Sequence, residues 1–343
     1  MADISTLYAG LTLRSPLVVA SSGLTNKVHK VKAHEEAGAG AVVLKSIFEE
    51  QMEQEAAYMS QDSDYPEAMD YLRHYVTSNA LSTHIDLIKA CRDSVSIPVI
   101  ASINCYKRDT WMDYARQLVE AGASAIELNV MRIDTDVNEE AGTHESGLVR
   151  MVQEMVSSVK VPVIVKLSKF FTNFCKLSKD LYNAGAAGVV LFNRMYMPDI
   201  DINKEEIIIG NVFSSSRDLF DSLRYTALVR GTTPQLSIGI SSGVRSGEDV
   251  IKSILAGADT VQLCTLLYQN GSQMITRLNE HLYHWMEEKK YESVEEFKSR
   301  LAATRVDHFN LYQRSQFMKH FSSYDETPIN TATPPKDHPG LAY

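Results

Sequence analysis

One short pattern occurs four times in this chain and constrains its fold more than any other feature. In each copy an Ala-Gly-Ala tripeptide ends a helical stretch, and an apolar run follows one residue later. The copies begin at Ala37, Ala121, Ala184 and Ala256 and precede AVVLK, AIELN, GVVLFN and TVQLC. A glycine just past a helix supplies the left-handed residue that ends it, and a β-branched run bounded in this way is typical of a strand buried on both faces. The repeated order of helix, turn and buried strand predicts an α/β fold, a (β/α)8 TIM barrel.

Eight apolar runs are the candidate barrel strands. They span residues 17–20, 41–45, 98–103, 125–130, 162–167, 188–193, 236–241 and 260–264. Between them, apolar residues recur at intervals of three and four, as in TWMDYARQLVEAG and GEDVIKSILAG, which predicts amphipathic helices. Eight parallel strands are the number that closes such a barrel.

Additional segments precede and interrupt this repeat. The sequence TLYAGLTLRSP, residues 6–16, predicts an N-terminal hairpin that could plug the bottom of the barrel. Long insertions follow strand two, over 46–97, and strand six, over 194–235. Insertions on the strand-exit face commonly form lids or substrate walls, although surface decoration or a dimer contact is the alternative.

The end of the chain departs from the barrel pattern. Two closing helices are predicted over 273–291 and 293–305. We therefore expect one barrel domain over 1–305 and a C-terminal extension over 306–343. Its last part, from roughly residue 320, is rich in Pro, Thr and Asp, which predicts an extended tail.

Composition narrows the class of partner. A net charge of -9 argues against a nucleic-acid surface, because phosphate contacts need clustered Lys and Arg. No apolar run approaches the roughly 18 residues of a membrane span, and the first residues lack a signal-peptide pattern, so we expect a cytoplasmic protein without a membrane partner. The scattered cysteines show no metal-binding spacing, so no metal is expected. These are Cys91, Cys105, Cys175 and Cys264. The expected partner is a small molecule.

The residues at the carboxyl ends of the predicted strands are unusually polar, and in a barrel these positions face the ligand. They are Ala20, Ser21, Lys45, Ser46, Asn129, Lys166, Asn193, Arg194, Ser241, Ser242, Gly243, Cys264 and Thr265. A lysine at the end of a buried strand can reach water along its long stem, which is a purely structural explanation. Two such lysines together with two asparagines favour a binding site for an anionic or electron-rich group.

The last two strands add a phosphate-binding pattern. Ser241-Ser242-Gly243 is followed by Ser246-Gly247-Glu248-Asp249, which opens a helix, and Cys264-Thr265 follows strand eight. Small residues and free amides at these two loops form the usual phosphate site of a barrel. A serine-glycine turn alone more often caps a helix, so its position in the barrel carries the argument.

With these residues assembled, the chain resembles the soluble class 1 branch of the FMN-dependent dihydroorotate dehydrogenases from about residue 4 to 300. The matching segments include LYAGLTLRSPLVVASSG, VVLKSIFEEQ, AIELNV, VPVIVKLS, VVLFN and IGISSGVRSGEDVIKSILAGADTVQLCTLLYQNG. The resemblance implies a cytoplasmic homodimer whose barrel binds FMN and passes a hydride from dihydroorotate to flavin N5 in pyrimidine biosynthesis.

The resemblance also implies roles for individual residues. Lys45 would contact the N1/O2 edge of the flavin, where a cation stabilises the anionic reduced form and favours hydride acceptance. The remaining FMN contacts would be Ala20, Ser21, Ser46, Asn129, Lys166, Ser242, Gly243, Cys264 and Thr265. Asn129, Asn193 and Arg132 would bind substrate.

One loop departs from the family. After strand four, class 1 enzymes read Asn-x-Ser-Cys-Pro-Asn, whose cysteine is the general base, whereas this chain reads NVMRID over 129–134. Arg132 stands at the position of the base, and an arginine cannot accept a proton at neutral pH. Asp134 is the candidate substitute base, and Glu139, Glu140 and His144 lie near the same loop.

Three functions stay open at this point. The first is an FMN oxidoreductase of dihydroorotate dehydrogenase type with a substitute base. The second is a flavoprotein that acts on a different unsaturated substrate. The third, motivated by the missing cysteine, is a non-catalytic relative that binds flavin or a phosphate ligand. The retained lysines and asparagine favour redox chemistry, while the electron acceptor could be fumarate, NAD or a partner subunit.

Overall fold

A computed structural model describes residues 2–59, 66–104, 108–131, 133, 135–305 and 310–313. Its strands are β1 (Thr6–Tyr8), β2 (Leu11–Leu13), β3 (Leu17–Val19), β4 (Ala41–Val43), β5 (Ile47–Phe48), β6 (Val99–Asn104), β7 (Ala125–Asn129), β8 (Val163–Leu167), β9 (Gly188–Leu191), β10 (Pro198–Asp201), β11 (Glu206–Ile209), β12 (Ser237–Ser241) and β13 (Thr260–Leu263). Its helices are α1 (Val28–Glu36), α2 (Glu49–Met59), α3 (Pro66–Arg92), α4 (Arg108–Glu120), α5 (Thr143–Ser158), α6 (Phe174–Asn183), α7 (Asp218–Thr232), α8 (Gly247–Ala256), α9 (Thr265–Asn270), α10 (Gln273–Lys289) and α11 (Asn310–Gln313).

Eight parallel strands close into a barrel. Their order is β4-β3-β13-β12-β9-β8-β7-β6, and pairing of β4 with β6 completes the ring. This confirms the predicted (β/α)8 fold. Each predicted strand is present, with ends that differ by one or two residues. The four repeat glycines have positive φ values of 98°, 108°, 95° and 121°, at Gly38, Gly122, Gly185 and Gly257, as expected for residues that end a helix.

The inside and the outside of the barrel have separate cores. Alternate strand residues point inward, and at the amino end they are small or aliphatic, as at Val18, Ile100 and Ile164. The hairpin β1-β2 covers this end and inserts Tyr8, which is 1% exposed. The outward-facing residues pack against the surrounding helices in a larger core. The predicted hairpin plug is therefore present.

The two insertions have different structures. The first contains β5, α2 and the long helix α3. The second contains the antiparallel hairpin β10-β11, followed by α7. None of the helices within the described residues is long and apolar enough to span a membrane.

The predicted helix over 293–305 is wrong. The segment forms two short 3-10 turns, Val294–Glu296 and Ala303–Arg305. Between them, the amides of Ser299 and Leu301 donate to carbonyls of Ile254 and Leu255 in the last turn of α8. Tertiary hydrogen bonds thus replace the intrahelical bonds that the apolar spacing suggested.

The chain divides into two compact units, Met1–Val306 and Asp307–Tyr343. In the second unit the structure describes residues 310–313, which form α11. The extended tail predicted for the last residues lies outside the described residues, and it stays a prediction.

Candidate functional site

A cavity of about 600 Å³ opens at the carboxyl ends of the barrel strands. Eleven residues predicted from the sequence as site residues line it. They are Ala20, Ser21, Lys45, Ser46, Asn129, Lys166, Asn193, Ser242, Gly243, Cys264 and Thr265. Arg132 and Asp134, the predicted substrate contact and substitute base, lie outside the described residues, as does Cys105. The structure therefore brings these eleven residues together, whereas Glu139, Glu140 and His144, the other candidates near the loop after strand four, do not line the cavity.

The two-residue period of the strands explains this convergence. Val43 belongs to the apolar core inside the barrel, so Lys45, two residues later, continues the same inward row into the cavity. In the same way Lys166 follows Ile164 on β8. The carboxyl ends of all eight strands meet at one face of the barrel, which is where ligands of this fold bind.

The two lysines of the cavity differ in their surroundings. Lys45 is half-buried and forms no ion pair within the part of the chain that the structure describes. Lys166 is 5% exposed, and its Nζ donates to Oε1 of Gln262 at 2.8 Å and lies 3.9 Å from Oε1 of Glu127. The charge of Lys45 is thus available to a ligand, whereas that of Lys166 is shared with a buried carboxylate.

Three hydrogen-bonded serines, Ser21, Ser46 and Ser102, support the floor of the cavity beside Lys45. The Oγ atoms of Ser21 and Ser46 are 2.9 Å apart, and the amide of Ser46 donates to Oγ of Ser21 at 2.9 Å. Oγ of Ser46 also lies 2.7 Å from Oγ of Ser102 on β6. This chain of hydrogen bonds ties the ends of three strands together and holds the backbone next to Lys45 in place.

A left-handed turn after β12 forms a concave backbone surface. Ser242 and Gly243 have φ values of 75° and 79°. The amides of Ser242, Gly243 and Val244 donate no hydrogen bond within the described residues. Successive amides in such a conformation point to one centre and favour an anion. The turn packs so closely on α7 that a Cβ at Gly243 would lie 2.3 Å from the amide nitrogen of Leu219.

Hydrogen bonding fixes the orientation of the Asn129 and Asn193 side-chain amides in the cavity, and burial fixes the protonation state of the Cys264 thiol. Nδ2 of Asn193 donates to Oδ1 of Asn129, which leaves the amino group of Asn129 and the carbonyl of Asn193 for a ligand. Burial raises the pKa of the Cys264 thiol, and the nearby Lys166 charge and a hydrogen bond to Ser22 oppose that shift only in part. Cys264 is therefore a neutral thiol near pH 7, not a nucleophile.

The sequence analysis did not identify the aromatic and apolar walls of the cavity. They are Phe48, Tyr196, Val212, Phe213 and Tyr268. Val212 and Phe213 end the run EEIIIGNVF of the second insertion, so that apolar run in a loop was the available signal. The rings of Phe213 and Tyr268 lie 6.1 Å apart. These side chains give a polar floor an apolar upper wall, an arrangement that is typical of small-molecule sites.

A barrel with two lysines and an amide cradle at its strand ends defines a small-molecule binding protein of the TIM-barrel class. Comparison with known proteins identifies the family. The family model for dihydroorotate dehydrogenase matches residues 4–286. The chain belongs to the dihydroorotate dehydrogenase family.

Individual relatives agree with this assignment. The chain is 30% identical over 306 residues to the dihydroorotate dehydrogenase B (NAD(+)) catalytic subunit of Thermoplasma volcanium, covering 86% of this chain and 97% of that protein. The dihydroorotate dehydrogenase A (fumarate) of Limosilactobacillus reuteri is 26% identical over 268 residues, covering 74% and 84%. A third relative, the B (NAD(+)) catalytic subunit of Thermococcus kodakarensis, is 27% identical over 314 residues, covering 86% and 97%. Relatives of both the A and the B type thus match most of the barrel.

Proposed function

We propose that the protein is an FMN-dependent oxidoreductase that oxidises a small anionic substrate of the dihydroorotate type. The observation that carries this proposal is one cavity that combines the amide turn at Ser242-Gly243 with Lys45, which has no ion pair among the residues that the structure describes. A phosphate group suits the amide turn, and an electron-accepting ring suits the cation. The second insertion and α9 supply the walls that would cover such a ring.

The residues present fit FMN in size and in chemistry. The cavity volume of about 600 Å³ lies within the usual range for cofactor sites. Ser242, Gly243, Cys264 and Thr265 would hold the phosphate, and Ala20, Ser21 and Ser46 would lie along the ring. Lys166 and Asn129 would contact the polar edge of the ring. When bound, FMN supplies the hydride acceptor of the reaction.

The residues of this chain then have distinct tasks. Lys45 would hold a positive charge at the edge of the ring where negative charge develops, and such a preorganised charge acts strongly because it needs no reorganisation. The amides of Asn129 and Asn193 would orient a substrate above that ring. Phe213 and Tyr268 line the same space and would shield the bound ring from water. The proton would be taken by the loop after β7, for which the sequence offers Asp134 in place of the family cysteine.

Anaerobic titration of the purified protein with dihydroorotate tests this proposal. We expect a flavin absorbance spectrum that bleaches on addition of dihydroorotate, because hydride transfer reduces the ring. Bleaching would require a route for the proton that does not use the family cysteine. A flavin spectrum that stays unchanged would contradict dihydroorotate as the substrate. Protein that binds no FMN on titration would contradict the cofactor as well.

Arg132→Cys should raise the rate of flavin reduction by dihydroorotate. The variant restores the family's base at its family position, and a positioned base typically contributes 10²- to 10⁴-fold. We expect an increase of about 100-fold in single-turnover stopped-flow measurements. Arg132→Ser, which removes the arginine without supplying a thiol, is the matched control and should give a much smaller gain. Equal rates for Arg132→Cys and the unchanged protein would show that the pocket itself favours another substrate.

We propose further that two copies of the chain associate through the hairpin β10-β11. In its antiparallel register Ile200 pairs with Ile207, and Pro198 pairs with Ile209, so these four residues share one face. All four are exposed, and Asp199 and Glu206 occupy the other face. A two-stranded hairpin is marginally stable alone in water, which favours a covered apolar face.

The exposed area of this face suits a symmetric pair. Ile200, Ile207 and Ile209 of this face are 66%, 81% and 67% exposed, and Ile202 in the turn just after β10 is 83% exposed. Together they offer roughly 500 Å² per copy, so a self-complementary contact would bury about 1,000 Å², the lower bound for a specific interface. A flat apolar face can pair with itself, as a two-fold dimer requires.

Ile207→Asp should convert the protein from dimer to monomer, because a carboxylate on the apolar face would be buried without a partner. Light scattering coupled to size exclusion measures the mass. Ile208→Asp is the matched control, since Ile208 lies next in sequence but points to the face of Asp199. A dimer that survives Ile207→Asp, or one that both variants dissociate equally, would exclude this face as the interface.

A further inference from the structure

A buried carboxylate, that of Glu127, lies directly beneath the candidate cofactor site. It is not among the residues proposed to contact the phosphate or the ring of FMN. Glu127 is 1% exposed and sits on β7, two residues before Asn129. Its Oε2 accepts a hydrogen bond from Nε2 of Gln262 at 2.7 Å. Gln262 in turn accepts from Nζ of Lys166 at 2.8 Å. Residues from three strands thus form one chain across the barrel.

The amide of Gln262 fixes the direction of this chain. Its Nε2 can only donate, so the facing oxygen of Glu127 accepts, and its Oε1 can only accept, so the ammonium of Lys166 donates. The opposite orientation of the amide would place two donors face to face at Lys166. The arrangement therefore holds an acceptor carboxylate and a donor ammonium on opposite sides of a neutral bridge.

A contribution to folding stability does not by itself explain why Glu127 is buried beside Lys166. Burying an ion pair costs desolvation that its attraction often fails to offset, and apolar residues of similar volume usually serve the fold as well or better. Oε1 of Glu127 makes no hydrogen bond within the described residues and lies 3.9 Å from Nζ of Lys166. The carboxylate is thus held close to the ammonium without a direct hydrogen bond to it.

The negative charge of Glu127 also acts on Tyr8 at the amino end of the barrel. Burial raises the pKa of the Tyr8 hydroxyl well above its usual value, and the charge of Glu127 adds to that shift. Tyr8 therefore remains neutral, and it offers Glu127 no compensating charge. Lys166 is the cation that balances Glu127.

We propose that Glu127 is a positioning residue that, through Lys166 and Gln262, sets how strongly the site prefers reduced over oxidised flavin. The inference rests on the proposed FMN function. Lys45 acts with its full charge, whereas the charge of Lys166 is partly offset by Glu127. The floor of the site then carries less than two net positive charges. A weaker positive field binds the more anionic reduced ring less tightly, which keeps its electrons available to an acceptor.

Glu127→Gln tests this role with readouts that do not depend on turnover. Dissociation constants for oxidised and for reduced FMN are measured by anaerobic titration, and the midpoint potential by dye equilibration. We expect reduced FMN to gain about tenfold in affinity relative to oxidised FMN, because one charge is removed in a site of effective dielectric about 20. For a two-electron couple that ratio corresponds to a potential about 30 mV higher.

Two further variants complete the test. Glu127→Met also removes the carboxylate and should shift the ratio in the same direction, and it decides the question if Glu127→Gln does not fold. Asp259→Asn is the matched control. Asp259 is 3% exposed and pairs with Arg230 and Lys298 at the amino end of β13, away from the cavity. It should lower stability without moving the ratio of the two dissociation constants.

The outcomes separate the two proposals. If the unaltered protein binds no FMN, the proposed function fails. If it binds FMN but Glu127→Gln and Glu127→Met leave the ratio unchanged, the inference about Glu127 fails and the proposed function stands. A shift of the same size in Asp259→Asn would also overturn the inference, since it would show a general effect of buried charge.

Discussion

Lys45→Met is expected to slow the reduction of bound flavin by substrate about 10²- to 10³-fold, which is the usual cost of removing one preorganised group that stabilises developing charge. Methionine keeps the length and the apolar stem of lysine but removes the charge. Because Lys45 forms no ion pair within the described residues, its loss should leave no buried carboxylate unpaired. The melting temperature should therefore change little.

Single-turnover stopped-flow measurement of flavin absorbance checks this expectation. Lys176→Met is the matched control, because Lys176 is exposed and pairs on the surface with Asp180 of the same helix. It should leave the rate unchanged. Lys166→Met provides the contrast, since it would strand the buried Glu127 and should lower the melting temperature clearly. An unchanged rate in Lys45→Met would remove this lysine from the proposed mechanism.

Gly243→Ala is expected to weaken FMN binding at least 100-fold and to lower the free energy of unfolding by about 2–4 kcal/mol. At φ 79° an alanine is strained, and its Cβ would lie 2.3 Å from the Leu219 nitrogen and 2.9 Å from its Cα. These are backbone atoms at the start of α7, so relief requires the turn itself to move. The amides that would hold the phosphate then no longer point to one centre.

Gly10→Ala is the matched control, because it introduces backbone strain at a positive φ without a steric clash. Gly10 has a similar φ of 82°, but a Cβ there would meet nothing within 4 Å. It should cost only about 1 kcal/mol and leave FMN affinity unchanged. Fluorescence titration gives the affinity and denaturant unfolding gives the stability. FMN binding by Gly243→Ala with the affinity of the unaltered protein would show that this turn is not the phosphate site.

The fold was predictable from the sequence because its signals are local. Each Ala-Gly-Ala marks a helix end whose glycine needs a positive φ, and each apolar run between such marks has the length of a buried strand. The segment 293–305 has the apolar spacing of a helix, but the amides of Ser299 and Leu301 pair with α8 instead. That outcome depends on contacts between distant segments, which local spacing does not contain.

Site residues at the carboxyl ends of strands could be predicted from the sequence. Site residues deeper in the barrel or on the long insertions could not. Lys45 and Lys166 stand at strand ends, so their place in the cavity follows from the fold. Glu127 lies inside the apolar run AIELN, and its partner Gln262 lies inside TVQLC. Polar residues within such runs were the signal for a buried network, but their pairing depends on which strands face each other. The wall residue Phe213 depends on the path of a long insertion.

The Tyr8 plug has a consequence for the order in which the barrel can be completed. The amide of Ala9, beside Tyr8, donates to Oγ of Ser237 on β12, and β3 pairs with β13. The plug and β3 therefore find their partners on β12 and β13 only after more than two hundred further residues have been made. Contacts of such long sequence separation form slowly and leave strand edges exposed in the meantime. Ring closure between the two ends of the barrel should thus be the late step of folding, and a nascent chain that lacks β12 and β13 has neither the plug contact at its amino end nor a closed wall.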